Sequence, residues 1–213
     1  MTAFVSPVQR GQQGNSYREV YELTDNYLYN PNWGYQNGKK RNAKVVTAFD
    51  PTAVISHIWK IDDTTTLTTG VGAHYARYGN TALNWYNAPD PRPDYYRYLP
   101  SYFEDEDMQM QYRDLWRSGR PDFTQINWDN LYLANANNLR AGNGAAVYMV
   151  EERRSDLLET SFNSTLNKQF NRHLGLTAGV GARFTQSRQF KTVNDLLGSN
   201  YVLDIDKFAE RDF

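Results

Sequence analysis

The residues best suited to touching a ligand lie close together, between positions 85 and 98. Trp85, Tyr86, Tyr95, Tyr96 and Tyr98 supply flat ring faces that stack on sugars or other ring-bearing molecules. Asp90, Arg92 and Asp94 supply charged neighbours that would fix orientation, and the competing reading is that all eight pack a loop onto its surroundings. This is binding chemistry. No nucleophile-elbow serine, phosphate-cradling glycine loop or histidine pair at metal-ligand spacing accompanies it. His57, His74 and His173 fall on different predicted strands or turns and read as ordinary wall or turn residues. The carboxylates at 104–107 have two readings, a hard-cation cluster for an ion such as calcium or the acidic start of a helix; the pattern that follows favours the helix. No catalytic residue, cofactor or metal site is expected, so the chain is not read as an enzyme.

Composition narrows the classes. The 213 residues carry a net charge of −1, and Lys and Arg form no long basic stripe, so nucleic acid is not an expected partner. There is no cysteine, which excludes disulfide frameworks and cysteine-ligated zinc. No run of about 18 apolar residues exists to form a membrane helix. A membrane β-barrel is compatible with low hydropathy, because only alternate residues of each strand face lipid. The 16 tyrosines, 10 phenylalanines and 5 tryptophans suit aromatic girdles or aromatic binding loops.

The elements that must hold the aromatic cluster are announced by a repeated phrase. LTTGVGAHY at 67–75 returns as LTAGVGARF at 176–184. In each copy one parity is apolar and ends in an aromatic (Leu67, Thr69, Val71, Ala73, Tyr75; Leu176, Ala178, Val180, Ala182, Phe184). The other parity is small or polar (Thr68, Gly70, Gly72, His74; Thr177, Gly179, Gly181, Arg183). Strand side chains alternate between faces, so each copy predicts a strand of about 9–11 residues with a lipid-type face and a lumen-type face. Absent side chains at the glycines leave room inside such a lumen.

Each copy closes a hairpin. The first pairs with 43–61, where Val45, Ala53, Ile55, His57, Trp59 and Ile61 share a parity and Pro51 predicts a bend or bulge. The second pairs with a strand carrying Leu158, Phe162 and Leu166 on one face. Trp59 and Phe170 mark one aromatic level; Tyr75, Tyr78 and Phe184 mark the other. The acidic and basic residues at 151–154 read as a salt-bridged strand extension. Between the hairpins, a Pro-rich stretch precedes Met108, Tyr112, Leu115 and Trp116, which follow helical spacing, and a second short helix is placed on Trp128, Leu131 and Tyr132. A helical turn near 17–23 is weakly signalled.

Several phrases are similar to barrel segments of TonB-dependent outer-membrane receptors: NPNWGYQNGKKRN (30–42), GNTALNWYN (79–87), DPRPDYYRYLPS (90–101) and DIDKFA (204–209). The resemblance implies an outer-membrane location in a Gram-negative bacterium and energy-coupled uptake of a scarce nutrient such as a glycan, siderophore or cofactor. It also implies partners: outer-membrane lipid, a plug domain and remaining barrel strands, the TonB energy-coupling complex, and a surface lipoprotein. The chain lacks a recognisable plug, coupling segment and signal peptide, and four strands fall short of the roughly eight a closed barrel needs. It therefore reads as an internal fragment, with terminal Phe213 an accident of truncation.

The expected fold is all-β: an antiparallel transmembrane β-barrel segment of about four strands in two hairpins, with a long loop containing short helices. The expected division is an extracellular loop at 1–42, a hairpin at 43–82, a long extracellular loop at 83–144, a hairpin at 145–195 and a loop at 196–213. The alternative is a soluble, aromatic-rich carbohydrate-binding β module, which requires the Leu67, Val71 and Tyr75 face to pack against a second sheet.

Overall fold

The computed structural model describes residues 1–206 and 211–212. Lys207, Phe208 and Ala209 of the resemblance phrase, and Phe213, lie outside the described residues. In chain order the strands are β1 (Thr2–Phe4), β2 (Val8–Gly11), β3 (Trp33–Gln36), β4 (Lys39–Asn42), β5 (Val45–Phe49), β6 (Thr52–Asp62), β7 (Thr65–Trp85), β8 (Tyr148–Gln169), β9 (Gly175–Asp195), β10 (Ile205–Asp206) and β11 (Arg211–Asp212). The helices are α1 (Arg18–Thr24), α2 (Glu106–Arg117), α3 (Pro121–Thr124) and α4 (Trp128–Arg140).

The chain is mostly β, with 48% strand, 20% helix and antiparallel sheets. The expected antiparallel β architecture with short helices in the long connection is present, and no closed barrel forms among the described residues. One sheet runs β1-β6-β7-β5-β2, with β8 pairing both β7 and β9. Both β5 and β6 pair with β7, and they are separate strands because Pro51 has no N–H to give the ladder. Its carbonyl still accepts from Tyr75 N at 3.0 Å. Strands β7, β8 and β9 are 21, 22 and 21 residues long, twice the predicted length. Alternating apolar residues mark only part of each strand, whereas ladder hydrogen bonds need no apolar side chain.

Two compact units divide the chain. The first holds residues 1–9, 47–79 and 154–190 and is a sheet. In the β6–β7 hairpin Ala53 faces Ala73, Ile55 faces Val71, His57 faces Thr69 and Trp59 faces Leu67. Its turn is fastened by Asp62, whose carboxylate accepts from Thr64 N–H and hydroxyl, both at 2.7 Å, and from Thr65 Oγ1 at 2.9 Å. Thr69 Oγ1 lies 3.0 Å from Ser164 Oγ, which puts the even-numbered residues of β8 on the Val71 face. Thr177 donates to Asn167 Oδ1 at 2.8 Å on the opposite face, leaving Leu176, Val180 and Phe184 on the Val71 side. Phe170 N–H donates to Leu174 O at 2.9 Å and closes the β8–β9 hairpin.

That common face is bare. Ile55, Trp59, Val71, Tyr75, Leu158, Phe162, Leu176, Val180 and Phe184 are 39–62% exposed. None of the buried hydrophobic side chains described belongs to this unit. The reverse face carries Ser56, Thr68, Gly70, Gly72, His74, Ser161, Asn163 and Arg183, with Val54, Ile58, Tyr78 and Leu157 as apolar or aromatic exceptions.

The second unit holds residues 10–46, 80–153 and 191–213 and has two cores. One gathers Ala43, Ile126, Trp128, Leu131, Tyr148, Val150 and Leu197; the other gathers Val20, Tyr29, Leu99 and Trp116. Helix α2 forms because its apolar residues recur on one stripe and Asp105 caps it, accepting from Met108 N at 2.9 Å. The acidic run at 104–107 is therefore spent on a helix start. Trp116, fully buried from that stripe, meets Tyr29 and Phe123 edge-on at 5.9 and 5.6 Å. Strands β3 and β4 turn through Asn37 and Gly38, both with positive φ, as an Asn-Gly hairpin turn requires. Gly34 is needed for a different reason: a Cβ there would lie 1.8 Å from Ile126 O. Glu151, nearly fully buried in β8, accepts from Arg153 Nε at 2.7 Å and Asn84 Nδ2 at 2.9 Å.

Candidate functional site

The aromatic loop follows β7 and is held by its own short-range chemistry. Pro89, Pro91 and Pro93 forbid a regular helix, and two single 3₁₀ turns, Tyr96–Tyr98 and Pro100–Tyr102, carry the chain to α2. Asp90 grips Arg92 with both oxygens, to Nε at 2.9 Å and to Nη2 at 2.5 Å, and also accepts Arg92 N–H at 3.0 Å. The Arg92 guanidinium sits 5.7 Å from the Trp85 ring centroid, so the tryptophan and the ion pair meet. Tyr95 lies edge-on to Tyr96 at 4.7 Å and to Tyr98 at 5.6 Å. Arg97, which the sequence reading passed over, donates to Tyr96 Oη at 3.0 Å and holds that phenol below its usual range.

Six of the eight predicted residues take part in these contacts, Trp85 with Asp90 and Arg92, and Tyr95 with Tyr96 and Tyr98; Asp94 is held instead by Ser16. Tyr86 stands apart: its N–H donates to Val147 O, and it lines a shallow recess with Met149, Val202 and Leu203. Two members are committed to structure. Trp85 packs against the first core. The Tyr98 hydroxyl donates to Asp90 O at 2.9 Å, and burial raises its pKa. Trp116 Nε1 in turn donates to Tyr98 O at 3.0 Å, tying the loop to α2. The groups left to face a ligand are Arg92, Asp94, Tyr95 and Tyr96.

Two clefts open beside Arg92. One, about 290 Å³, is lined by Asn15, Ser16, Tyr17, Arg92, Asp94 and Tyr95. The other, about 260 Å³, brings in Tyr112, Asp122, Phe123, Gln125 and Asn127 opposite Arg92 and Tyr98. In the first, Asp94 accepts from Ser16 Oγ at 2.8 Å. Burial raises the Asp94 carboxyl above the ordinary range, with the Ser16 hydrogen bond and the Arg92 charge pulling the other way. The arrangement offers one half-exposed guanidinium already paired with Asp90, one partly desolvated carboxylate and edge-on tyrosine rings, which suits a neutral polar ligand with a flat face. Ser16, Tyr17, Asp122 and Gln125 reach the site from segments remote in sequence, and no local pattern marks them. The histidines stay apart: His57 is on β6, His74 on β7 pairs with Asp50, and His173 is in the β8–β9 turn.

No protein-family model and no curated protein matches this chain.

Proposed function

We propose that the first unit is a stretch of wall from an outer-membrane β-barrel transporter of the TonB-dependent receptor kind. In this reading the second unit offers its aromatic loop to a scarce nutrient outside the cell. The chain catalyses no reaction. Driving force comes from the inner-membrane coupling complex, and the plug and further strands come from the rest of the receptor. A surface lipoprotein is a further partner of the same reading.

The observation that carries it is the two-sided sheet with no core. Fully burying a large apolar side chain is worth about 1.5–3 kcal/mol. Nine such residues, each about half exposed, leave on the order of 10 kcal/mol unrealised in water, comparable to the whole stability of a domain. Acyl chains would supply that burial, while the small and polar reverse face suits an aqueous lumen. A carbohydrate-binding soluble module would need the Val71 face covered by a second sheet, and none of the described residues covers it.

Expression and fractionation test the reading. The chain should require detergent, or pellet with membranes and resist a carbonate wash. Recovery as a detergent-free monomer with one cooperative melt would overturn it in favour of the soluble module.

A further inference from the structure

The stretch Pro89-Asp90-Pro91-Arg92-Pro93 has only two backbone N–H groups, at Asp90 and Arg92. The Arg92 N–H is spent on the Asp90 carboxylate at 3.0 Å. The stretch can form neither helix nor ladder, so its carbonyls need donors from elsewhere. Two phenols supply them at consecutive positions. Tyr148 Oη donates to Pro89 O at 2.8 Å, and Tyr98 Oη donates to Asp90 O at 2.9 Å.

Each phenol is itself anchored by a buried side chain, and the two anchors belong to different cores of the second unit. Tyr148 lies just past Val147, whose carbonyl accepts from Tyr86 N–H. Its own N–H and carbonyl are both bonded by the fully buried Asn135, at 3.0 and 2.8 Å. The Tyr98 carbonyl accepts from Nε1 of the fully buried Trp116 at 3.0 Å. Pro89 O and Asp90 O belong to the two peptide planes that flank the Asp90 Cα. A peptide unit is planar, so fixing both carbonyls fixes the direction of the Asp90 side chain between them. Asp90 then holds the Arg92 guanidinium with both oxygens, beside the Trp85 ring and on the border of both clefts.

We propose that Tyr98 and Tyr148 are positioning residues for the ligand-contacting loop. Their hydroxyls aim Asp90, and through Asp90 they keep Arg92 in place between the two clefts. The inference rests on the reading of this loop as the part that meets a ligand, and not on the barrel wall. A chain recovered without detergent sinks the wall and leaves the measurement below intact.

Arginine labelling of the full chain by phenylglyoxal, followed peptide by peptide in the mass spectrometer, tests it. Tyr148→Phe and Tyr98→Phe each remove one hydroxyl and keep the ring. Each should raise the labelling rate of Arg92 about five-fold, the effect of one hydrogen bond on a local opening. Arg120, which makes a similar pair with Asp122 outside the loop, should keep its rate. Amide protection of α4 should also be unchanged, which marks the variants as folded. In an Asp90→Ala background Arg92 should label fast, and adding Tyr148→Phe should raise the rate no further. An unchanged Arg92 rate in both single variants would overturn the proposal. So would an equal rise at Arg120, which would reduce the phenols to general packing. A further rise from Tyr148→Phe once Asp90 is gone would overturn it too, because the phenol would then act by another route.

Discussion

At the scale of single residues, Asn135 has the most demanding position in the chain. It is fully buried in α4, and its amide nitrogen donates to Tyr148 O, Leu196 O and Leu197 O at 2.8, 3.0 and 3.1 Å. Its oxygen accepts from Val147 N and Tyr148 N at 2.9 and 3.0 Å. Leu197, also fully buried, holds a left-handed φ of 48° that Asp195 supports by accepting its N–H. Asn135→Ala should cost more than about 3 kcal/mol, because several buried backbone groups lose partners together. Urea titration in detergent measures this, and a loss under about 1 kcal/mol would show the amide to be dispensable. Nothing in the sequence marks this asparagine among its neighbours Asn130, Asn137 and Asn138; only the fold brings the five backbone groups to it. Asp94 gives a prediction with a sign. Its folded-state pKa is raised, chiefly by burial, so its stabilising contribution is complete below the ordinary carboxylate pKa of about 3.9. That contribution is lost as pH rises through the raised value. Asp94→Asn keeps an acceptor for Ser16 and removes the cost of burying charge. The variant should be more stable than the parent at pH 7 and lose the decline seen between pH 4 and 7. A less stable variant at pH 7 would mean that attraction to Arg92 outweighs desolvation.

Among the elements, the alternation along β9 makes the sharpest prediction. Leu176 and Val180 lie on the bare face and Thr177 on the reverse, so arginine at the first two should cost about 2–4 kcal/mol near a bilayer centre. Thr177→Arg should be milder. Folding yield into lipid vesicles for the three variants decides it, and equal tolerance would contradict the faces assigned. These faces were legible in the sequence because a period of two is a direct consequence of strand geometry. Helix α2 was legible for the same kind of reason, an apolar stripe behind an acidic cap. What escaped is instructive. Strands β1 to β4 lie in a segment read as loop, because three- and four-residue strands are too short to show a period. Helix α4 runs to Arg140, well past the Trp128, Leu131 and Tyr132 signal, because its next inward residue is Asn135 rather than an apolar one. The binding cluster was legible only in part. Local composition exposed the rings between 85 and 98, but Ser16, Tyr17, Asp122 and Gln125 arrive through tertiary folding, and Tyr86 turns elsewhere.

For the whole molecule, the contrast between the units governs how it should respond to solvent. The second unit has buried tryptophans, two apolar cores and side-chain caps on α2 and α4. The first has ladder hydrogen bonds but no fully buried large apolar side chain among its described residues, and β9 presents a 21-residue edge paired among described strands only with β8. Long apolar edges of this kind template pairing with other chains, and two-stranded ribbons are marginal alone. Hydrogen exchange with and without detergent separates the two behaviours. Amides of α2, α4 and 148–150 should stay protected in both conditions. Amides of 175–190 should be protected in detergent; on its removal they should exchange freely, or the chain should self-associate through that sheet. A monomer that keeps 175–190 protected in water would mean the sheet is stable without any covering for its apolar face. In that case lipid is no longer needed to account for the alternation, and the wall reading loses its main support.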